Sequence, residues 1–429
     1  MKDPARGPAT RPGRLSVSSW VVYDLANTIF ALGVVGLYFP DWLLAAGLPD
    51  SALATAQISA AAFVIFLGPW AGARTDASGA RLPTLVVTTV IAVIATFFLG
   101  TGPVPLTLVL LGVAVVAVNT GSVVYDALLV DVSTLENRGW ISGLGVGVGY
   151  FGSFVGLGIG TLTIDVLGWG HEGTFRTLAI AFLIFALPAF VFVEEVPRRA
   201  RRTPGPGEVM ARVLASWRLA ANYPGVIRFL VGRFFYTDAI NTLLTGFLAI
   251  FVIDELGLDR SFFTVLMGVA ITAAVIGGLG AGRLLDRLSP LRLLRVVLVI
   301  WVIAIAMGIA ASVTGVTGLA WMIGPLGGLA LGATWASDRL VMTRVSPPSH
   351  LGEFYGLYAT VGRFATIAGP LTWAIIVDVI GLGRNVAMGA LGAFIVIGWW
   401  VLREVDDTPR LWGPGDALEV SGTRDEDRT

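Results

Sequence analysis

The chain has 429 residues, of which 55% are hydrophobic and 14% charged, with 29 basic and 29 acidic side chains and a mean hydropathy of +0.80. A soluble fold of two or three domains could not hide that much apolar surface, so lipid is the implied solvent. The absence of cysteine excludes disulfides, thiolate nucleophiles and cysteine metal sites, and a net charge of zero gives no indication of a partner.

The basic N-terminal tail, residues 1–17, is followed by an apolar run too long for a signal peptide and without a small-residue cleavage site, so it reads as a retained membrane span. A span needs about 20 mostly apolar residues. On that rule the chain carries twelve helices, at 18–43, 54–73, 83–101, 104–130, 140–165, 174–193, 226–252, 262–282, 291–312, 317–341, 352–379 and 386–403. Strands are excluded because open strands leave backbone groups unsatisfied in hydrocarbon. The expectation is an all-α membrane protein: a six-helix bundle over 18–195, a basic loop over 196–225, a second bundle over 226–403, and a polar, disordered tail from 404 to 429.

With the N-terminus placed in the cytoplasm, that side receives Lys2, Arg6, Arg11, Arg14, Arg74, Arg81, Arg138, the arginines between Arg198 and Arg218, and Arg283, Arg287, Arg292, Arg295, Arg339 and Arg344. The other side has only Arg176, Arg260 and Arg384. This is the positive-inside pattern, and it puts both termini in the cytoplasm. The arginines of the 196–225 loop then anchor to anionic lipid, a better account than a nucleic-acid patch. His171 and His350 fall in loops as ordinary surface residues.

The first span carries Tyr23, Asp24, Asn27 and Thr28, and the same pattern returns as Tyr236, Asp238, Asn241 and Thr242, with Asp24 and Asp238 214 residues apart. The turn after the second span, Gly72–Arg81, returns as Gly282–Arg292, with Gly72 and Asp76 recurring 210 residues later as Gly282 and Asp286, the latter followed by Arg287. The stretch GLGVGVGYFGSFVGLGIG, Gly143–Gly160, has a partner in 352–370 at an offset of 213. Three matches in one order imply two parallel repeats of six spans, related by an axis along the membrane normal.

Within the glycine-rich stretch, Gly147, Gly149 and Gly152 spell GxGxxG. A dinucleotide fingerprint must follow a buried strand in a βαβ unit, and this one follows a polar loop and lies inside a span. Gly145, Gly149, Gly152, Gly156 and Gly160 instead make a small-residue face for close helix packing.

An ionisable residue at mid-span costs about 2.5–3.5 kcal/mol on insertion scales, so such residues usually face partners or water. Asp24, Asp126, Arg233, Asp238, Asp338, Arg339 and Arg363 qualify. Asp24 and Asp238, repeat-related and each with an asparagine one turn on, are the leading candidates for a substrate and coupling cavity between the bundles. Asn27, Tyr23, Tyr150, Asp126, Asn241 and Arg363 would line it. Alternatively the charges pair with one another and staple helices, with Asp338 and Arg339 snorkelling at a helix end. The turns at Gly72, Asp76, Arg81 and Gly282, Asp286, Arg287 are candidate gating contacts, with Arg138 and the start of the eleventh span near Gly352 as partners.

The turn Gly72-x3-Asp76-x2-Gly79-x-Arg81 resembles the signature of the major facilitator superfamily, with Ala77 and Ala80 where basic residues are usual and Ser289 replacing a glycine in the second copy. More narrowly, Trp20, Tyr23, Asp24, Ala26 and Asn27 followed by Phe39-Pro40 are similar to the first span of the vacuole-effluxer-like family, typified by a fungal autophagy-related amino-acid exporter. Tyr125, Ala127 and Leu129, the run Ser142–Gly152, and Phe354–Tyr358 with Gly369-Pro370 look like its fourth, fifth and eleventh spans. The departures are Asp126 in place of an amide, Ala239 in place of glycine, and Arg363 where lysine is frequent.

The resemblance implies a monomeric secondary transporter in the bacterial cytoplasmic membrane, without a cofactor, exporting amino acids or similar small solutes. Coupling to protons through Asp24 or Asp238 is the accompanying hypothesis. The alternatives are an importer of sugars or drugs on the same fold, or a membrane sensor or scaffold. No Walker A motif and no catalytic serine–histidine pair appears within the spans, which speaks against an ATP-driven pump or an intramembrane enzyme.

Overall fold

A computed structural model describes residues 13–408 except 79, 135–136, 196–204, 224, 286 and 348–349. The expected polar tail beyond 408 and residues 196–204 of the basic loop lie outside the described residues, while Pro206–Ala220 of that loop is a helix and not irregular chain. The described secondary structure is helical throughout. Among the described residues, eleven helices are long and apolar enough to cross a membrane, and a shorter apolar helix, Leu82–Phe97, stands at the position of the third span. Its 16 residues rise about 24 Å, short of a hydrocarbon core of about 30 Å. Large apolar side chains such as Val109, Ile184, Ile276, Val379 and Trp400 stand exposed along the spans, as lipid contact requires.

The chain separates into two compact units, Met1–Val209 with Leu244–Ile250, and Met210–Leu243 with Phe251–Thr429. The seventh span, Val226–Glu255, changes unit at a kink where Thr245 and Gly246 leave helical geometry. Gly246 has φ +112°, and a side chain there would also stand 2.4 Å from Pro40 Cγ, so only glycine fits.

Each unit uses the same set of helix pairs. In the first, the first span packs on the fifth and sixth, the fourth on the second and third, and the third on the sixth. In the second, the seventh packs on the eleventh and twelfth, the tenth on the eighth and ninth, and the ninth on the twelfth. The repeat read from short motifs is therefore a repeat of packing.

Glycine sets the closest of these contacts. The fifth span, Arg138–Val166, lies against the first through one face: a methyl on Gly152 would stand 2.2 Å from the Leu25 carbonyl oxygen. One on Gly156 would lie 3.3 Å from Gly33 Cα, and one on Gly160 1.7 Å from the Tyr38 ring. Gly143, Gly147 and Gly158 face nothing within 4 Å, so the GxGxxG match draws on two different faces of one helix. The tenth span approaches the eighth as closely: a methyl on Gly328 or Gly332 would stand 2.0 or 1.9 Å from the carbonyl oxygen of Ala270 or Ala274.

Candidate functional site: the charged interiors of the two units

In the first unit the aromatic residues of the first span lock onto the fourth. The Trp20 indole N–H donates to the Tyr125 carbonyl at 3.1 Å, and the Tyr125 hydroxyl donates back to the Trp20 carbonyl at 3.1 Å. Their rings stack at 4.6 Å and 8°. Tyr23 adds a third ring 5.0 Å from Tyr125 and hydrogen-bonds Thr89 at 2.6 Å. Tyr23 is buried, so it belongs to this lock and lines no open surface.

Asp24, half-buried, turns to the fifth span, where its carboxylate would stand 2.6 Å from a methyl on Gly149. Thr28, one turn on, donates to the Asp24 carbonyl at 2.9 Å. Asp126 is exposed and follows Tyr125, whose phenol lies within electrostatic reach of both Asp24 and Asp126. Asn27 and Tyr150 are half-buried. The unit thus gathers Tyr23, Asp24 and Asp126 around Tyr125.

The second unit holds a buried ion pair that the sequence had assigned to other partners. Arg233 on the seventh span donates from Nε to Asp338 on the tenth at 3.3 Å. Its Nη1 donates to the Tyr358 carbonyl at 3.1 Å, and its guanidinium lies 3.6 Å from the centre of the Tyr358 ring. Asp338 also accepts from Tyr358 at 2.9 Å and from Tyr236 at 3.5 Å. Asp338 is fully buried while Arg339 is exposed, so the expected snorkelling pair does not form. The carboxylate has three donor contacts, one each from Arg233, Tyr358 and Tyr236, to offset its burial, which is why it is tolerated between helices.

Below this pair the eleventh span is broken. Leu351–Phe364 is helical, Ala365 leaves helical geometry at φ −76°, ψ 53°, and helix resumes at Ala368. The Asp238-x-x-Asn241-Thr242 motif sits against that break. Asn241 donates to the Ala365 carbonyl at 2.8 Å. Asp238, fully buried, turns toward the backbone amides of Ile367, Ala368 and Gly369, although neither carboxylate oxygen is aligned for a full hydrogen bond. Thr242 crowds Gly369, where a methyl would stand 2.1 Å from its hydroxyl oxygen. Arg363, half-buried, precedes the break.

The two copies of the motif therefore do different things. Asp24 faces Gly149, whose repeat partner is Gly362, yet Gly362 faces the Arg233 guanidinium and Asp238 faces Gly369. The contact has moved seven residues along the eleventh span, and the helix is interrupted where it moved.

Of the candidate gating residues, Arg81 is buried and donates to the Ala127 carbonyl at 2.8 Å and to Asp131 at 3.2 Å. Gly72 is half-buried beside Val123. In the second copy Gly282 and Arg287 are exposed. Asp286 lies outside the described residues, as do the side chains of Asp76 and Arg138 and those of residues 351–353.

The residues holding these turns were not singled out from sequence. Glu195, after the sixth span, accepts from the amides of Arg81 and Leu82 at the start of the third span. Asp407, after the twelfth span, accepts from the Leu291 amide at 2.9 Å and the Ser289 hydroxyl at 2.7 Å at the start of the ninth. Both carboxylates satisfy first-turn amides that lack a preceding carbonyl. They are 212 residues apart, within the repeat offsets, and that spacing was the available signal. The ion pair at each corner is inverted: Asp131 stands where the second unit has Arg344, which reaches Asp407 at 3.9 Å. His171 is likewise more than a surface residue, bonding Asp41 at 2.9 Å.

A model of the Major Facilitator Superfamily matches residues 25–370 and 238–416. The chain belongs to that superfamily. Among its relatives, the MFS-type transporter YxiO of Bacillus subtilis (strain 168) is 26% identical over 404 residues, covering 88% of this chain and 92% of that protein. Autophagy-related protein 22-1 of Aspergillus niger is 23% identical over 266 residues, covering 56% of this chain and 42% of the fungal protein. Two solved structures share the superfamily fold: a mutant of the nucleoside transporter NupG, and a bacterial homolog of the human lysosomal transporter Spinster. The first has a TM-score of 0.70 at 12% identity, covering 91% of this chain and 99% of that one. The second has a TM-score of 0.63 at 16% identity, covering 94% and 98%. The protein is therefore a multi-pass membrane transporter of this superfamily, with the vacuole-effluxer-like first span noted above.

Proposed function

We propose that this transporter moves small solutes by alternating access, exporting amino acids or closely related compounds, and that proton binding at Asp24 or Asp238 drives the flux. The observation that carries the reading is Asp238: a fully buried carboxylate in a membrane span, without an aligned hydrogen bond, set against a break in a neighbouring helix. Such an arrangement is costly in a purely structural position and useful where a proton or solute must bind and leave. The amino-acid assignment is supported by the resemblance of the first, fifth and eleventh spans to an amino-acid exporter family. The arginine distribution supports cytoplasmic termini in a bacterial cytoplasmic membrane.

The test is a flux screen of amino acids and related solutes in proteoliposomes under an imposed pH gradient. Gradient-driven flux of at least one amino acid is expected, and it should collapse in Asp24→Asn or Asp238→Asn. Full flux in both variants would remove the coupling role, and no flux for any solute that stabilises the protein would favour a sensor.

A further inference from the structure

Helix seven holds both sides of the gap in the eleventh span with the DxxNT motif. Before the gap, the Ala365 carbonyl is satisfied by Asn241. After it, the amides of Ile367, Ala368 and Gly369 have no preceding helical carbonyl and are turned to the Asp238 carboxylate. Pro370 follows in the resumed first turn, where a missing N–H costs nothing. The helix then runs through Ala374 and on in π form to Val379. Backbone amides at the start of a resumed helix recognise anions, and in discontinuous membrane helices such amides take anionic groups of the substrate.

The first unit provides the contrast. There the same motif faces an unbroken helix, and Asp24 meets Gly149 in mid-helix, where every amide already serves the helical ladder. Only the second copy creates free amides. A carboxylate lying on them, fully buried but aligned with none, occupies the place of an anion without filling it.

We infer that the gap at Ala365–Gly369 is a subsite for a carboxylate-bearing solute, occupied in this structure by the protein's own Asp238 carboxylate as a resident surrogate. The inference rests on the transport reading for its biological use, not for its chemistry. An incoming carboxylate takes over the amides as Asp238 withdraws. Two carboxylates cannot share one set of donors, so the solute carboxylate and that of Asp238 occupy the amides in turn. The charged and titratable groups of the surrounding helices are Arg228, Arg233, Tyr236, Asp254 and Glu255 on its own span, Tyr355, Tyr358, Arg363 and Asp378 on the eleventh, and Asp338, Arg339 and Arg344 on the tenth. Arg384 and Arg403 stand at the ends of the twelfth. Arg233 is committed to Asp338 and Tyr358, so the pair above the gap adds no net charge to it.

The experiment vacates the subsite and offers it a free carboxylate. Purified full-length Asp238→Ala is melted in detergent with increasing sodium formate against sodium chloride at matched ionic strength, beside the wild type and Asp238→Asn. Expected is a saturable upward shift of the melting midpoint by formate, absent with chloride, in Asp238→Ala alone, because the other two proteins keep the amides occupied. If the alanine variant does not survive purification, Asp238→Ser takes its place, and recovery of monodisperse protein in formate but not in chloride counts in favour. An equal response to formate and chloride, an equal shift in the wild type, or equal loss of both variants in either salt overturns the inference. The readout involves no transport, so a failed flux screen leaves a positive formate result standing, and a negative formate result leaves the transport reading intact.

Discussion

Replacing Gly152 by alanine tests the packing of the first span on the fifth at its tightest point. The added methyl would stand 2.2 Å from the Leu25 carbonyl oxygen and 3.0 Å from its carbonyl carbon. Since real methyls do not come closer than 3.0 Å, the helices must part by at least 0.8 Å, and Leu25 can yield only by moving backbone. Overpacking of this kind costs about 1–3 kcal/mol. The control is Gly147→Ala on the same helix, five residues earlier, where nothing lies within 4 Å. That change keeps only the propensity gain of alanine over glycine, about 0.8–1 kcal/mol. Both variants share that gain, so they should differ by the overpacking alone, about 1–3 kcal/mol, roughly 2–6 °C in melting midpoint at about 2 °C per kcal/mol. Thermal unfolding of the detergent-purified protein measures it. Equal midpoints for the two variants, or a lower one for Gly147→Ala, would refute the glycine-face packing.

The buried pair makes a non-additivity prediction: Arg233→Met or Asp338→Leu alone should destabilise by about 3–5 kcal/mol, because each strands a buried charge, while the double variant recovers most of the loss. Additive losses in a thermal double-mutant cycle would contradict it. Removing the carboxylate caps should fray the third and ninth spans, with Glu195→Ala costing about 0.5–2 kcal/mol and Asp407→Ala more, since Asp407 also holds Ser289 and Arg344. Hydrogen exchange at residues 82–85 and 291–294 reads each effect locally, and unchanged protection would contradict it. Trp20→Phe keeps the stack on Tyr125 but leaves its carbonyl without the indole donor, a loss of about 1 kcal/mol in melting stability, whereas Trp20→Ala should cost several times that.

The helical class, the span positions and the duplication were legible because each rests on local or periodic information. Apolar length identifies a span whatever it packs against, and the Asp24 and Asp238 motifs repeat at one offset. The small-residue face of the fifth span was legible too, since backbone-to-backbone packing needs glycine at helical spacing. Partner choice was not. Asp338 has Arg339 beside it in sequence, but consecutive residues on a helix point about 100° apart, so its ion pair comes from Arg233, 105 residues away. Nor did the motif repeat reveal that its second copy faces a broken helix. Whether Asp238 meets Gly362 or Gly369 depends on how far two helices slide along each other, a quantity fixed by all the side chains between them. The sequence by itself determined which groups enter the membrane; only the tertiary structure decided which of them meet, because a charge in hydrocarbon settles against whichever partners the packed helices bring within reach.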